Sequence, residues 1–161
     1  MTAMSELAGN PALIQFIKYA VVGGLSTAVH IVFFHAFAWK IFPALQESDA
    51  AVKLLGLSVS DLDDRARSRN SMLSNFGAFL FSNFFCYLMN VWFVFEGGKH
   101  NFWVEIGLFY LVSGLSMSIG TGTMGWLIRR LGMRTTYAFG ANLVASLLIN
   151  YAARKFFIFK G

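Results

Sequence analysis

The sequence is poor in charge: Asp, Glu, Lys and Arg make up 13% of its 161 residues, where a soluble domain carries about 25%. So small a polar supply does not cover a water-facing surface. Cysteine is nearly absent. Cys86 stands alone inside an apolar run, which excludes a disulfide framework and a cysteine-based zinc site. No Asp or Glu falls in the middle of a long apolar stretch, and Glu105, at the start of one, comes closest. There is no carboxylate pair, no nucleophile beside a base and no glycine-rich nucleotide loop. The chain is therefore expected not to be an enzyme and to need neither metal nor cofactor.

What is abundant points the other way. Apolar residues reach 57% and aromatics 17%, with 18 phenylalanines, and the mean hydropathy is +0.59. Such a chain has ample apolar area to bury, so disorder is excluded. It reads as a single domain, residues 1–161, lying in a membrane. The net charge of +5 sits in short basic runs beside apolar segments. That pattern suits lipid phosphates and argues against nucleic acid as a partner.

A helix crossing a bilayer needs roughly 20 mostly apolar residues. Four stretches qualify: 13–39, 72–95, 102–128 and 137–159. Trp39, Trp92, Trp103 and Trp126 all fall near their ends, as an aromatic belt requires. The first run is too long for a cleaved signal peptide, and Lys18 is the only basic residue near its start, so it is read as a retained helix. Segments two and three are joined by a tight turn, Glu96-Gly97-Gly98-Lys99-His100-Asn101. The loop 40–71 is far longer. Within it Val52, Leu54, Leu55, Leu57 and Val59 suggest an interfacial patch. Ser60 with Asp63 reads as a helix start, here of a short surface helix.

The two halves resemble each other. Tyr19-Ala20-Val21-Val22-Gly23-Gly24-Leu25-Ser26 matches Phe109-Tyr110-Leu111-Val112-Ser113-Gly114-Leu115-Ser116, and Trp92-Phe93-Val94-Phe95 matches Phe156-Phe157-Ile158-Phe159. Each half holds two helices, so both enter the membrane from the same side and form a parallel repeat. The expected fold is thus an all-α integral membrane protein of four transmembrane helices, built as two parallel two-helix repeats.

Polar residues are arranged on faces. Asn75, Ser82, Asn83, Cys86 and Asn90 occupy about a third of the circumference of segment two. Asn142, Ser146 and Asn150 recur at four-residue spacing in segment four, followed by Arg154 and Lys155. Each Asn taken singly reads as interhelical hydrogen bonding, worth ~0.6 kcal/mol and at most about 2. Two such seams, one per half, read as the lining of a cavity. The stripe Gly107, Gly114, Ser118, Thr121, Gly122 and Gly125 in segment three permits close backbone approach, within the chain or between chains. Lys18, Arg154 and Lys155 lie on the terminal side, at the depth of an anionic headgroup, where together they would neutralise one phosphate. His30 follows Ser26 at helical spacing and lies deeper, as does His35.

Taken in order, Phe16-x-Lys18-Tyr19-x-x-x-Gly23-x-Leu25-Ser26-Thr27-x-x-His30, Asn75-Phe76, Asn90-x-x-Phe93-x-Phe95 and Lys155-Phe156-x-x-Phe159 resemble the GtrA-like family. The likeness covers the chain apart from the loop 42–69, which is longer than the family norm. It implies a small four-helix protein of the cytoplasmic (inner) membrane that acts with polyprenyl-phosphate glycosyltransferases. Such a protein flips a polyprenyl-phosphate-linked monosaccharide to the outer leaflet for surface-polysaccharide glycosylation. On that reading Lys18, Arg154 and Lys155 hold the lipid phosphate, while Ser26, Thr27, His30, Asn75, Asn90, Asn142 and Asn150 bind the sugar or line its path. Ser26 stands where an Asn is usual, and Cys86 takes the repeat position matched by Asn150.

Loops one and three carry eight Lys/Arg against five on the termini and loop two, which favours cytoplasmic loops one and three. The resemblance implies cytoplasmic termini, and the five acidic residues of loop one make its charge count atypical. The expected partners are the lipid-linked sugar, membrane lipids and a glycosyltransferase. A homodimer is also expected, since four helices enclose little volume for a sugar and a phosphate. The alternative function is a non-transporting membrane scaffold or anchor for the glycosyltransferase, with the long loop as its support. A small multidrug exporter, also of four spans, is disfavoured by the lack of a mid-span carboxylate.

Overall fold

The computed structural model describes residues 10–131 and 135–160, of which 135–143, most of 120–131 and a few positions in 64–72 are described as backbone alone. The elements in chain order are α1 (Pro11–Lys40), α2 (Ala50–Leu55), α3 (Asp64–Phe93), α4 (Phe102–Leu131), α5 (Thr135–Ala153) and a π-helical turn (Arg154–Ile158). Among the described residues there is no strand. Among the described residues three segments are long and apolar enough to cross a bilayer: Pro11–Lys40, Arg69–Phe93 and Phe102–Ile119.

Side-chain caps set the starts of the three long helices. Asn10 Oδ1 accepts from Ala12 N at 3.0 Å, with Pro11 at the first helical position, where its missing N–H costs nothing. Asn101 Oδ1 accepts from Trp103 N at 2.9 Å. Asp63 Oδ1 accepts from Ala66 N at 2.7 Å. Each satisfies a first-turn amide that has no partner within its own helix.

The third cap changes the expected boundaries. The Ser60–Asp63 signal does not start a separate surface helix; Asp63 starts α3 itself, so that helix begins at Asp64 and not near residue 72. Hydropathy marks only the turns at hydrocarbon depth, whereas the cap marks where helical geometry begins. Thirty residues at 1.5 Å each span about 45 Å, well beyond a core of ~30 Å. The long first loop is correspondingly shorter and contains α2. That helix ends at Gly56, whose φ of 61° is left-handed and costs little without a Cβ.

Contacts divide the chain into two units: residues up to Val22 together with Tyr87 onward, and Gly23–Cys86. In the second, Ala38, Ala44, Leu45 and Val52 form the core, with Phe34, Trp39, Leu57 and Val59 packed against it. The apolar patch expected of the first loop is therefore split. Val52, Leu57 and Val59 turn inward, while Leu54 and Leu55 stay exposed. Phe33, Phe37 and Phe81 make a ring cluster, Phe33 and Phe81 stacking at 4.9 Å. Gly77 lies against it, and a Cβ there would meet Phe37 Cε2 at 2.7 Å.

The core of the first unit is aromatic. Phe109 and Phe159 are fully buried, and Tyr19, Tyr87 and Phe95 nearly so. Its contacts come in pairs when the two sequence matches are continued in register, which sets Gln15 against Glu105 and Tyr87 against Tyr151. Tyr151 Oη donates to Gln15 Oε1 at 3.1 Å, and Tyr87 Oη to Glu105 Oε2 at 3.2 Å. Tyr19 lies 5.3 Å from Tyr151, and Phe109 lies 5.5 Å from Tyr87. Tyr19 lies 6.1 Å from Phe95, and Phe109 lies 6.2 Å from Phe159.

Candidate functional site

Pro11, Ile14, Gln15 and Lys18 fall on one face of α1 at three- and four-residue spacing. With Ala12, Val94 and Lys155 they line an open cavity of about 570 Å³, within the size range of small-molecule sites. Its lining holds two cations and no acid. A directed network positions one of them. Lys155 Nζ donates to Tyr151 Oη at 3.4 Å, that hydroxyl donates to Gln15 Oε1, and Gln15 Nε2 donates to Val94 O at 3.1 Å. Lys18 is exposed. The arrangement presents two ammonium groups to an anion from neighbouring helix ends, with an amide between them.

Of the three cations expected to act together, the structure brings Lys18 and Lys155 to this cavity. Arg154 is turned elsewhere. It is 5% exposed, donates from Nη2 to Ser113 Oγ at 2.9 Å, and lies 3.8 Å above the Phe109 ring, with Tyr19 at 5.4 Å. A guanidinium is planar and more weakly hydrated than an ammonium, so it stacks readily on buried aromatic faces. Arg154 and Lys155 are neighbours in a π turn, and adjacent helical positions point in different directions, so one faces Phe109 and the other the cavity. The turn also displaces carbonyls from the regular ladder. The Phe156 carbonyl accepts from Lys99 Nζ at 2.5 Å and the Phe157 carbonyl from His100 Nε2 at 3.0 Å. Both donors come from the turn between α3 and α4.

Glu105, the carboxylate nearest a span centre, is buried and committed to that same turn. Its Oε1 accepts from Gly98 N at 2.7 Å and His100 N at 3.2 Å, and its Oε2 from Tyr87. Three donors and the positive end of α4 compensate the charge.

In the Gly23–Cys86 unit, His30 joins the seam of α3. Its Nε2 is 3.1 Å from Asn75 Oδ1 and its Nδ1 is 3.1 Å from Ser82 Oγ. Asn75 and Ser82 are seven residues apart, hence on one helical face. One tautomer satisfies both contacts, donating to Asn75 from Nε2 and accepting from the Ser82 hydroxyl at Nδ1. Ser26 is buried one turn earlier on α1. Thr27 is exposed and donates back to Gly23 O at 3.0 Å.

Asn90 is fully buried. Asn150 Nδ2 donates to Ser146 O at 2.9 Å, while its Oδ1 is buried without a partner. The side chain of Asn142 lies outside the described residues. Sequence reasoning passed over Gln15 and Tyr151. The spacing of Tyr151 four residues before Lys155 is the signal that points to the latter pair.

No curated protein and no solved structure matches the chain. The model of the family GtrA/DPMS, transmembrane domain, matches residues 18–159, from the first cavity lysine to the buried Phe159. With its long apolar helices, the chain is a multi-pass membrane protein and belongs to the GtrA/DPMS transmembrane-domain family.

Proposed function

We propose that this protein flips a polyprenyl-phosphate-linked monosaccharide across the cytoplasmic membrane, for glycosylation of a surface polysaccharide. It acts as one transmembrane domain of four spans, α5 with its π turn being the fourth, built as two parallel two-helix repeats. The paired Tyr–Gln and Tyr–Glu hydrogen bonds and the paired ring contacts support the repeat. The observation that carries the function is the acid-free cavity holding Lys18 and Lys155. A sugar-linked lipid phosphate is anionic, and two ammonium groups neutralise it while the tail stays in lipid. Arg154 contributes to the same end of the chain from its stacked position on Phe109. Hydroxyl groups of the sugar would be met by Ser26, Thr27, His30, Asn75, Asn90, Asn142 and Asn150, in a homodimer working beside a glycosyltransferase. No element for coupling to an energy source is required: consumption of the sugar on the far side pulls the lipid across.

The test is lipid-sugar flipping in proteoliposomes. A charge-assisted contact is worth about 1.5–3 kcal/mol, so Lys18→Gln or Lys155→Gln alone should slow flipping about ten- to a hundredfold in folded protein, and the pair together more. Asn75→Ala and Asn90→Ala should slow it as well. Unchanged flipping in the lysine pair would overturn the reading.

A further inference from the structure

We infer that α2 and the end of α1 form a seat for an acyl chain of the surrounding leaflet, with an anionic headgroup at its rim. A groove of about 380 Å³ runs between them, lined by Ile31, Val32 and Trp39 from one side and by Leu54, Leu55 and Leu57 from the other. Its polar edges are already engaged. His35 Nδ1 donates to Ile31 O at 2.8 Å, and Trp39 Nε1 donates to Ser58 O at 3.1 Å. What remains is a hydrocarbon surface.

Three observations identify the occupant. The first is continuity. Ile31 and Val32, 52% and 67% exposed, belong to the bare face of a membrane-crossing helix, and the groove prolongs that face without a break. The second is depth. Trp39 sits at a span end, where aromatic rings mark the headgroup level, and Ile31 is about 12 Å further along the axis at 1.5 Å per residue. A groove between them therefore reaches into the acyl region. The third is charge. Lys40, its Nζ 3.7 Å over the Trp39 ring, and exposed Lys53 flank the groove in sequence, as cations do beside anionic headgroups. Meanwhile Val52 fastens α2 from within, against Ala38, Ala44 and Leu45. That leaves Leu54 and Leu55 facing out at 84% and 65% exposure. On water such a patch would be a liability; on an acyl chain it is complementary. The loop is thus embedded in the leaflet surface, independently of what the protein transports.

The experiment places a single environment-sensitive fluorophore on the full chain by Leu54→Cys, in vesicles of phosphatidylcholine and phosphatidylglycerol. Leu55→Cys is the second variant should the first fold poorly, and Ser48→Cys, at an exposed position, is the aqueous control. The native Cys86 is buried, and unsubstituted protein reports its background. Quenching by lipid carrying a doxyl group near the top of its chain is compared with quenching by iodide. At position 54 or 55 the doxyl lipid should quench several-fold more than iodide, with the reverse at position 48. Omitting phosphatidylglycerol should lower the doxyl quenching, and unchanged quenching would remove the anionic headgroup from the assignment. Quenching by iodide would put the loop in water and overturn the proposal. Protection from both quenchers would mean that another protein or a second copy covers the groove, and would overturn it equally.

Discussion

The rings of Phe95 and Phe159 stack 5.1 Å apart and 12° from parallel, although 64 residues separate them in the chain. They close the two matched motifs of the sequence, so the residue that ends one half rests on the residue that ends the other. Around this stack the Tyr19, Tyr87, Phe109 and Tyr151 rings are arranged in corresponding pairs. The stack therefore joins the end of α3 to the end of the chain.

Truncating that stack should be costly. Phe159→Ala opens a cavity in a site of zero exposure and should cost about 3–5 kcal/mol. Phe157→Ala, at 71% exposure, should leave stability unchanged. Thermal unfolding in mild detergent, followed for both variants, checks the contrast.

Glu105→Gln should loosen the turn between α3 and α4. The amide side chain still accepts one hydrogen bond well, but it lacks the charge that holds Gly98 N and His100 N together. A hydrogen bond to a charged group is worth about 1.5–3 kcal/mol. Hydrogen exchange at these two amides should accelerate while the mid-span amides of α4 keep their protection.

Tyr151→Phe should weaken lipid-phosphate binding without unfolding the protein. The ring contacts to Phe16 and Tyr19 remain, but Lys155 and Gln15 lose the hydroxyl between them. One neutral hydrogen bond of about 0.5–1.5 kcal/mol corresponds to roughly two- to tenfold in affinity. Titration of polyprenyl phosphate into nanodisc-embedded protein measures it, with Lys155→Gln as the larger-effect comparison.

Gly77→Ala should destabilise the Gly23–Cys86 unit by about 1–3 kcal/mol, the usual cost of overpacking. The added methyl would meet the Phe37 ring at 2.7 Å, and that ring is held by Phe33 and Phe81. Phe37→Leu should recover part of the loss in the double variant, and a double-mutant cycle on unfolding reads the coupling.

Much of this was legible in the chain. The apolar runs located the long helices because hydrocarbon thickness dictates their length. The seam periodicity placed Asn75 and Ser82 on one face, and the Ser26–His30 spacing singled out the histidine that reaches them. Other features had no local signature. Arg154 reads as one of three phosphate-holding cations because it lies near a segment end; its burial depends on Phe109 and Ser113, more than forty positions earlier. Likewise the helix start at Ser60–Asp63 reads as a short surface helix within the first loop, since six charged residues between Asp61 and Arg69 hide the opening turns of α3 from any hydropathy argument. Gln15 has no partner at helical spacing, and Tyr151 and Val94 reach it only in the fold.

The π turn makes the end of the chain sensitive to counting. Its Phe159 N–H bonds the Arg154 carbonyl at 2.9 Å, so residues five apart share a face and both are buried. In an α-helix the same two positions would point about 140° apart. Phe156 and Phe157 are exposed, and their identities matter less than their number. Removing one residue between Arg154 and Phe159 would restore an ordinary turn and carry either the guanidinium off Phe109 or the terminal ring off Phe95. At Phe156 and Phe157 the stretch tolerates a change of residue but not a change of number.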